Sequence, residues 1–120
     1  RVESFDMPTA RAIVRDAAGN LKKVSLELGG KSPVFVFPDA DLQQAIPGVA
    51  MAAFLLQGQN CVCGSRVFVH SSIAEELTAG VAAFAKGMKL GSGLERDTMI
   101  GPVISGVQKK RIEGFFASAQ

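Results

Sequence analysis

The sequence has little of what marks several common classes of protein. Its formal net charge is only +2, from 13 basic and 11 acidic residues, which argues against nucleic acid or a charged membrane surface as a partner. No apolar run approaches the roughly 18 residues of a membrane-spanning helix, and the first residues form no signal-peptide pattern. The expected setting is therefore the cytoplasm, with no nucleic acid and no membrane as partner.

Cysteine and histidine are also scarce. The two cysteines, Cys61 and Cys63, are one residue apart, a spacing that suits neither a bond between them nor the framework of a secreted disulfide-rich domain. With the single histidine, His70, they offer three metal ligands at a spacing unlike that of a zinc site, so no metal is expected. His70 follows a predicted strand, and a structural role is expected for it.

Apolar residues, by contrast, are plentiful. They make up 48% of the 120 residues, which is enough to form the core of one ordinary domain. Arg1 stands where an initiator methionine would be, so the sequence is interpreted as an internal segment of a longer protein.

The spacing of the apolar residues predicts helices and strands in alternation. Helices are expected over about residues 9–18, 42–56, 72–90 and 105–120. Strands are expected over about residues 24–28, 33–38 and 65–70. Alternation of this kind predicts an α/β fold with a mainly parallel sheet.

Several ends of these elements carry their own signals. Gly19 and Asn20 favour the positive φ that ends a helix, and Pro47 should either kink the second helix or delay its regular part to about Ile46. The candidate helix caps are Asp39 or Asp41 for the second helix and Ser71 or Ser72 for the third. The last helix is expected to be amphipathic, with an apolar side formed by Val107, Ile112 and Phe116.

Cys61 lies in a glycine-rich loop between the second helix and the third strand. Most cysteines in such a place are small buried apolar residues. Here Gly58 and Gly64 would let the backbone approach a ligand closely and leave amide groups pointing at it. Such amides would stabilise a thiolate and an oxyanion on a substrate, which makes Cys61 a candidate nucleophile.

Glu27 stands at the end of an otherwise apolar predicted strand. One interpretation is an ion pair with Lys23 or Lys31 at the sheet edge, and for a lone glutamate it would be preferred. The other is a carboxylate that faces a cleft, where desolvation would favour its taking a proton from an attacking water. The residues by themselves leave both interpretations open.

Two longer motifs resemble those of aldehyde dehydrogenases. The run Glu-Leu-Gly-Gly-Lys-Ser-Pro at residues 27–33 resembles that family's glutamate motif. The run Phe-Leu-Leu-Gln-Gly-Gln-Asn-Cys-Val-Cys-Gly-Ser-Arg at residues 54–66 resembles its cysteine motif, at the family's separation of 34 residues between Glu27 and Cys61. By resemblance, residues 1–120 are a partial catalytic domain, with a lead-in helix in residues 1–20 and the motif-bearing segment in residues 21–120.

The resemblance implies a reaction and assigns roles in it. Cys61 would attack an aldehyde to give a thiohemiacetal, oxidation with NAD or NADP would leave a thioester, and Glu27 would activate the water that releases the carboxylic acid. The Cys61 backbone N–H would form part of the oxyanion hole, and the backbone of Leu28 and Gly29 would border the nicotinamide. A small-molecule aldehyde is the expected substrate and a homo-oligomer the expected assembly, while Cys63 is expected to pack rather than react.

The first nine residues depart from the family pattern. The family carries a Phe-Thr-Gly-Ser-like turn that helps to hold the dinucleotide ahead of the glutamate motif, whereas this chain reads Arg-Val-Glu-Ser-Phe-Asp-Met-Pro-Thr. Family members are also several times longer, and most of their dinucleotide-binding residues would lie outside this chain.

Two other functions remain open on sequence grounds. Cys61 could be the nucleophile of a cofactor-free thiol esterase. Thiol hydrolases usually pair cysteine with histidine, however, and the only candidate base in this sequence is Glu27. Alternatively the chain is an inactive truncated or degenerate dehydrogenase that acts as an interaction module, in which case Cys61 would be inert.

The isolated chain is expected to show weak or no dehydrogenase activity, because it carries the nucleophile and the base but little of a dinucleotide site. The test is absorbance of reduced nucleotide after incubation of the purified chain with aldehydes and NAD or NADP. Clear accumulation of NADH or NADPH would contradict this expectation.

Overall fold

A computed structural model of the chain describes residues 7–119. Four α-helices and two β-strands follow one another along it, with one-turn 3₁₀ helices at Leu55–Gly58 and Ser71–Ile73. In chain order the elements are α1 (Met7–Ala18), β1 (Pro33–Val36), α2 (Leu42–Phe54), β2 (Arg66–Val69), α3 (Ala74–Gly87) and α4 (Gly106–Ser118). The departure from the family pattern in residues 1–9 falls mainly on residues 1–6, which lie outside the described part.

The two strands form a parallel pair, and α2 is the crossover between them. Pro33 pairs with Arg66 and Val36 with Val69, so the strands are in register over their full length. Side chains of one sheet face, Val34, Val36 and Val69 among them, pack with α2 and α3. Val36, Val49 and Leu77 are the buried centre of this core. The α/β class with parallel pairing is therefore confirmed.

The first of the three expected strands, at residues 24–28, is wrong. Residues 22–32 have no regular secondary structure. Alternation of apolar and polar residues stabilises a strand only when a neighbour supplies its hydrogen bonds. The ladder begins where Arg66 N–H donates to Ser32 O at 3.4 Å, and the residues before Arg66 form turns rather than a strand that could pair further.

The two helices of the core begin in different ways. Asp41 caps α2, because its Oδ1 accepts the Gln43 N–H at 2.9 Å, and the helix runs from Leu42 through Pro47 without the expected delay to Ile46. The expected serine cap of the third helix is wrong. His70 Nδ1 instead accepts the Ser72 N–H at 3.3 Å, and the 3₁₀ turn at Ser71–Ile73 leads into α3.

The end of α1 also differs from the expectation. The left-handed residue is Leu21, with φ of 54°, rather than Gly19 or Asn20. Leu21 N–H donates to Ala18 O and Lys22 N–H to Ala17 O, the pair of bonds of a Schellman motif. The positive φ therefore occurs at Leu21, two positions after Gly19, where it was expected.

Much apolar surface is not covered by the described residues. α4 begins after Ser105, which caps it, but none of its described side chains is buried, and Val107 and Phe116 are 80% and 69% exposed. On the sheet face opposite α2 and α3, Phe35 and Phe68 stack at 5.2 Å yet remain exposed. The radius of gyration is 18.1 Å, against about 14 Å for a compact domain of this length. The core of α2, α3 and the sheet is thus part of a larger apolar arrangement.

None of the described helices is long and apolar enough to cross a membrane.

The contact between α2 and α3 depends on a glycine. A Cβ at Gly80 would overlap Ile46, with Cγ1 at 2.8 Å and Cδ1 closer still, whereas a Cβ at Gly48 would meet no atom within 4 Å. We expect Gly80→Ala to lower the free energy of unfolding by about 1–3 kcal/mol through overpacking. Gly48→Ala, the control in the middle of α2, should raise it by up to about 1 kcal/mol through helix propensity.

Urea unfolding followed by circular dichroism measures both changes. Equal effects of the two substitutions would contradict the close packing of Gly80 on Ile46.

Candidate active site

The parallel pairing brings the two sequence motifs to one edge of the sheet. Residues 27–32 lead into β1 and residues 59–65 lead into β2, so both segments lie at the amino ends of neighbouring strands. Between them is an open cleft of about 510 Å³, lined by residues 27–31, residues 58–61, Cys63, Ser65 and Gln108. The structure therefore brings together all four residues named from the sequence as site residues, which are Glu27, Leu28, Gly29 and Cys61.

Arg66 ties the two sides of the cleft together. Its Nε donates to Lys31 O at 2.8 Å and its backbone N–H to Ser32 O at 3.4 Å. The two segments also touch directly, since a Cβ on Gly30 would lie 3.3 Å from Cys61 O. A glycine at position 30 lets the glutamate segment lie this close to the nucleophile turn.

The turn before Cys61 has an unusual backbone. Leu56, Gln57 and Gly58 are all left-handed, with φ of 55°, 59° and 69°. Non-glycine residues seldom adopt this conformation, and each costs on the order of 1–3 kcal/mol. The reversal ends α2 abruptly and sends the chain back toward the sheet edge, which places Cys61 in the cleft.

The turn that carries Cys61 is closed by its own hydrogen bonds. Cys63 N–H donates to Asn60 O at 3.1 Å, and Gly64 N–H to Ala52 O at 2.9 Å. Asn60 Oδ1 accepts the Val62 N–H at 3.3 Å. Within residues 7–119 no hydrogen bond uses the Cys61 N–H, so this donor is available at the cleft.

The two thiols have different surroundings. Cys61 is exposed, and its Sγ lies 3.7 Å from Asn60 Oδ1. Cys63 is half-buried, and its Sγ donates to Gly58 O at 3.4 Å. Cys61 is thus the thiol that an electrophile can reach, and Cys63 helps to hold the turn.

Glu27 lies in the irregular segment before β1, and its side chain is exposed. The described residues do not supply the desolvation expected for a buried general base. Its position across the cleft from the Cys61 turn is nevertheless the arrangement that the general-base interpretation requires.

His70 lies away from this cleft. It follows β2 at the carboxyl edge of the sheet, where its N–H donates to Val36 O at 3.1 Å, and it caps the turn that precedes α3. No group of three possible metal ligands occurs among the described residues. The expected structural role of His70 agrees with these contacts.

One cleft residue was missed from the sequence. Gln108, on the first turn of α4, donates through Nε2 to Gln59 Oε1 at 3.1 Å. The two residues are 49 positions apart and neither belongs to a local catalytic pattern, so only the tertiary arrangement brings them together. Ser105 caps this helix, because its Oγ accepts the Gln108 N–H at 3.2 Å.

Comparison with known proteins assigns the family. The model of the aldehyde dehydrogenase family matches residues 6–120. The chain belongs to the aldehyde dehydrogenase family. Betaine aldehyde dehydrogenase of Rhizobium leguminosarum is 42% identical over 109 residues, and 4-trimethylaminobutyraldehyde dehydrogenase of Rattus norvegicus is 41% identical over 114 residues.

Solved structures give the same assignment. The NAD⁺ complex of betaine aldehyde dehydrogenase from Staphylococcus aureus superposes on 96% of the chain with a TM-score of 0.85 at 35% identity. The NAD⁺ complex of the Bacillus cereus aldehyde dehydrogenase covers 90% of it with a TM-score of 0.81 at 42% identity.

The chain is short beside these proteins. The two sequence matches extend over 91% and 95% of this chain but over only 22% and 23% of the relatives. The chain covers 22% of each of the two solved chains. The chain thus spans about a fifth of a family member, and that fifth contains the glutamate and cysteine motifs at residues 27–33 and 54–66.

The difference between the two thiols is open to direct measurement. We expect iodoacetamide to alkylate Cys61 about tenfold faster than Cys63, because a half-buried, hydrogen-bonded thiol reacts only after a local opening. Mass spectrometry with fragmentation separates the two sites. In urea the two rates should converge, and equal slow labelling of both thiols in the native chain would show that the turn is not assembled.

Proposed function

We propose that this chain is the catalytic segment of an NAD(P)-dependent aldehyde dehydrogenase, which oxidises a small aldehyde to the carboxylic acid. One observation carries the proposal. In a chain of this family, the exposed thiol of Cys61 and the carboxylate of Glu27 line the same cleft at the amino edge of a parallel strand pair. A nucleophile and a base on opposite sides of one cleft are what thioester chemistry needs.

Cys61 is the nucleophile in this proposal. Its thiolate attacks the aldehyde carbon, an S–C bond forms, and the carbonyl oxygen becomes the oxyanion of a thiohemiacetal. The Cys61 N–H, which makes no hydrogen bond within the described residues, is placed to donate to that oxygen.

The residues that border the cleft suit the flat ring of a nicotinamide. Gly29 has a φ of 78° and no side chain, and a Cβ there would meet nothing within 4 Å, so there is open space beside its backbone in the cleft. NAD or NADP, when bound, supplies the oxidising step by accepting a hydride from the substrate carbon. The NAD⁺ complexes of the S. aureus and B. cereus relatives support this choice of cofactor.

Glu27 serves as the general base for the second half of the reaction. It accepts a proton from a water that attacks the thioester carbon, the C–S bond breaks, and Cys61 leaves as the thiolate. Its exposure in this chain leaves the carboxylate open to water from the cleft. In the whole protein, further segments would cover the cleft and supply the rest of the dinucleotide site.

The uncovered apolar surface favours a second, simpler role for the isolated chain. Phe35, Phe68, Val107 and Phe116 are exposed in the described part. Surfaces of this kind associate with other protein surfaces. By itself, the chain would then behave as an interaction module, and within the whole protein the same surface would be internal to a cytoplasmic homo-oligomer.

Replacement of the base separates the two halves of the reaction. In the full-length protein that contains this chain, we expect Glu27→Gln to leave acylation of Cys61 intact but to slow hydrolysis by about 10²–10⁴-fold, since the proton acceptor is gone. Intact-protein mass spectrometry after mixing with aldehyde and cofactor should then detect an acylated enzyme.

The control is Glu75→Gln, which makes the same change on the exposed first turn of α3. The Glu75→Gln protein should oxidise aldehyde at the same rate as the unmodified protein. Normal turnover by Glu27→Gln, with no accumulated adduct, would remove Glu27 from the mechanism.

A further inference from the structure

The turn that precedes Cys61 requires support from outside itself. Leu56 and Gln57 are both left-handed non-glycine residues, and such residues persist only where their surroundings hold them. Leu56 is exposed, so its own packing contributes little to that support. The bond from Gln59 N–H to Leu56 O, at 3.0 Å, closes the turn locally but anchors it to no other element.

Cys63 Sγ donates to Gly58 O at the end of the turn. Further support comes from residues 101–108, which lead into α4 and form its first turn. Gln108 Nε2 donates to Gln59 Oε1 at 3.1 Å, and Gln59 Nε2 in turn lies 3.4 Å from Gln57 Oε1. A second contact is independent of these bonds, since a Cβ on Gly101 would lie 3.5 Å from Gln57 Nε2. Residues 101 and 108 therefore both lie against the left-handed turn.

We propose that Gln108 is a positioning residue for the nucleophile, which acts through Gln59 to hold the turn that aims Cys61 and its N–H into the cleft. This inference rests on the proposed function, in which Cys61 is the nucleophile and its N–H is the oxyanion donor. Acyl transfer needs the thiolate and the oxyanion donor in one geometry, and a misplacement of about 1 Å can cost about 10²-fold in rate.

A purely structural role for Gln108 has less support. The residue is half-buried on a helix that has no buried side chain among its described residues, so it contributes little to the core. Ser105 caps this helix through the Gln108 backbone N–H, and substitution of the side chain leaves that bond in place. Loss of the side chain should therefore disturb the Cys61 turn much more than the stability of the chain.

The test compares Gln108→Met, which keeps the length of the side chain and removes the donor, with Gln108→Lys, which keeps a donor. Gln43→Met is the matched control on the exposed first turn of α2. All three replacements suit a helix about equally well. The first readout is amide hydrogen exchange at Gln59 and Cys63, whose N–H groups close the turn.

We expect Gln108→Met to speed exchange at these two amides about tenfold, with no change in α3, because the turn opens locally. Gln108→Lys should restore slow exchange, and Gln43→Met should not alter it. Equal exchange at Gln59 and Cys63 in Gln108→Met and Gln43→Met would overturn the proposal.

The second readout compares two reactions of Cys61 in the same variants. With p-nitrophenyl acetate an S–C bond forms to the acyl carbon, the bond between that carbon and the phenolic oxygen breaks, p-nitrophenolate leaves and the thiol proton goes to the buffer. We expect Gln108→Met to slow this acylation about tenfold, since it needs the oxyanion donor, and to change alkylation by iodoacetamide less than about twofold. Equal loss in both reactions would mean that Gln108 controls access to the thiol, and would overturn the positioning role.

The two readouts also distinguish this proposal from the proposed function. Failure of the unmodified chain to become acylated at Cys61 would count against an assembled catalytic site. The exchange measurement would still decide whether Gln108 holds the turn.

Discussion

The parallel pairing of β1 with β2 is the interaction on which the rest of the arrangement depends. It places the segments that enter the two strands side by side, and these segments carry Glu27 and Cys61. An antiparallel pairing would set the same segments at opposite ends of the sheet, about 13 Å apart for strands of four residues. A slip of one residue would turn Arg66 to the other face of the sheet and break its bond to Lys31 O.

The cleft with Glu27 and Cys61 lies at the amino edge of this strand pair, whereas open α/β sheets commonly bind ligands beyond the carboxyl ends of their strands. At the amino edge the shape of the site is set by the backbone that enters each strand. Each entering segment contains a left-handed glycine, Gly29 on one side and Gly58 on the other. Gly30 adds the close approach to Cys61 O that lets the two segments form a single cleft.

The sequence predicted the features that depend on neighbouring residues and on regular spacing. It failed where the structure depends on a residue that is distant in the chain. The parallel α/β class, the cap at Asp41 and the two family motifs all depend on residues near one another in the chain. The strand expected at residues 24–28 had the right alternation but no neighbour to pair with.

The other failures have the same kind of cause. The cap on the turn before α3 comes from His70, whose ring nitrogen takes the place expected of a serine hydroxyl. Gln108 could not have been found from the sequence, because its partner is 49 residues away and no periodic pattern relates the two. α4 was expected to be amphipathic, but none of its described side chains is buried, and Val107 and Phe116 lie on its exposed surface.

The crossover helix fixes the distance along the chain between base and nucleophile. After β1 the polypeptide must travel back to the amino edge before β2 can begin, and α2, with 13 residues, spans about 20 Å at 1.5 Å per residue. One inserted residue within α2 would rotate everything after it by about 100°, which would turn Val49 or the nucleophile loop away from the sheet. Insertions in the loops around α2 should therefore be tolerated. The helix itself should tolerate neither insertion nor deletion if the two motifs are to line the same cleft.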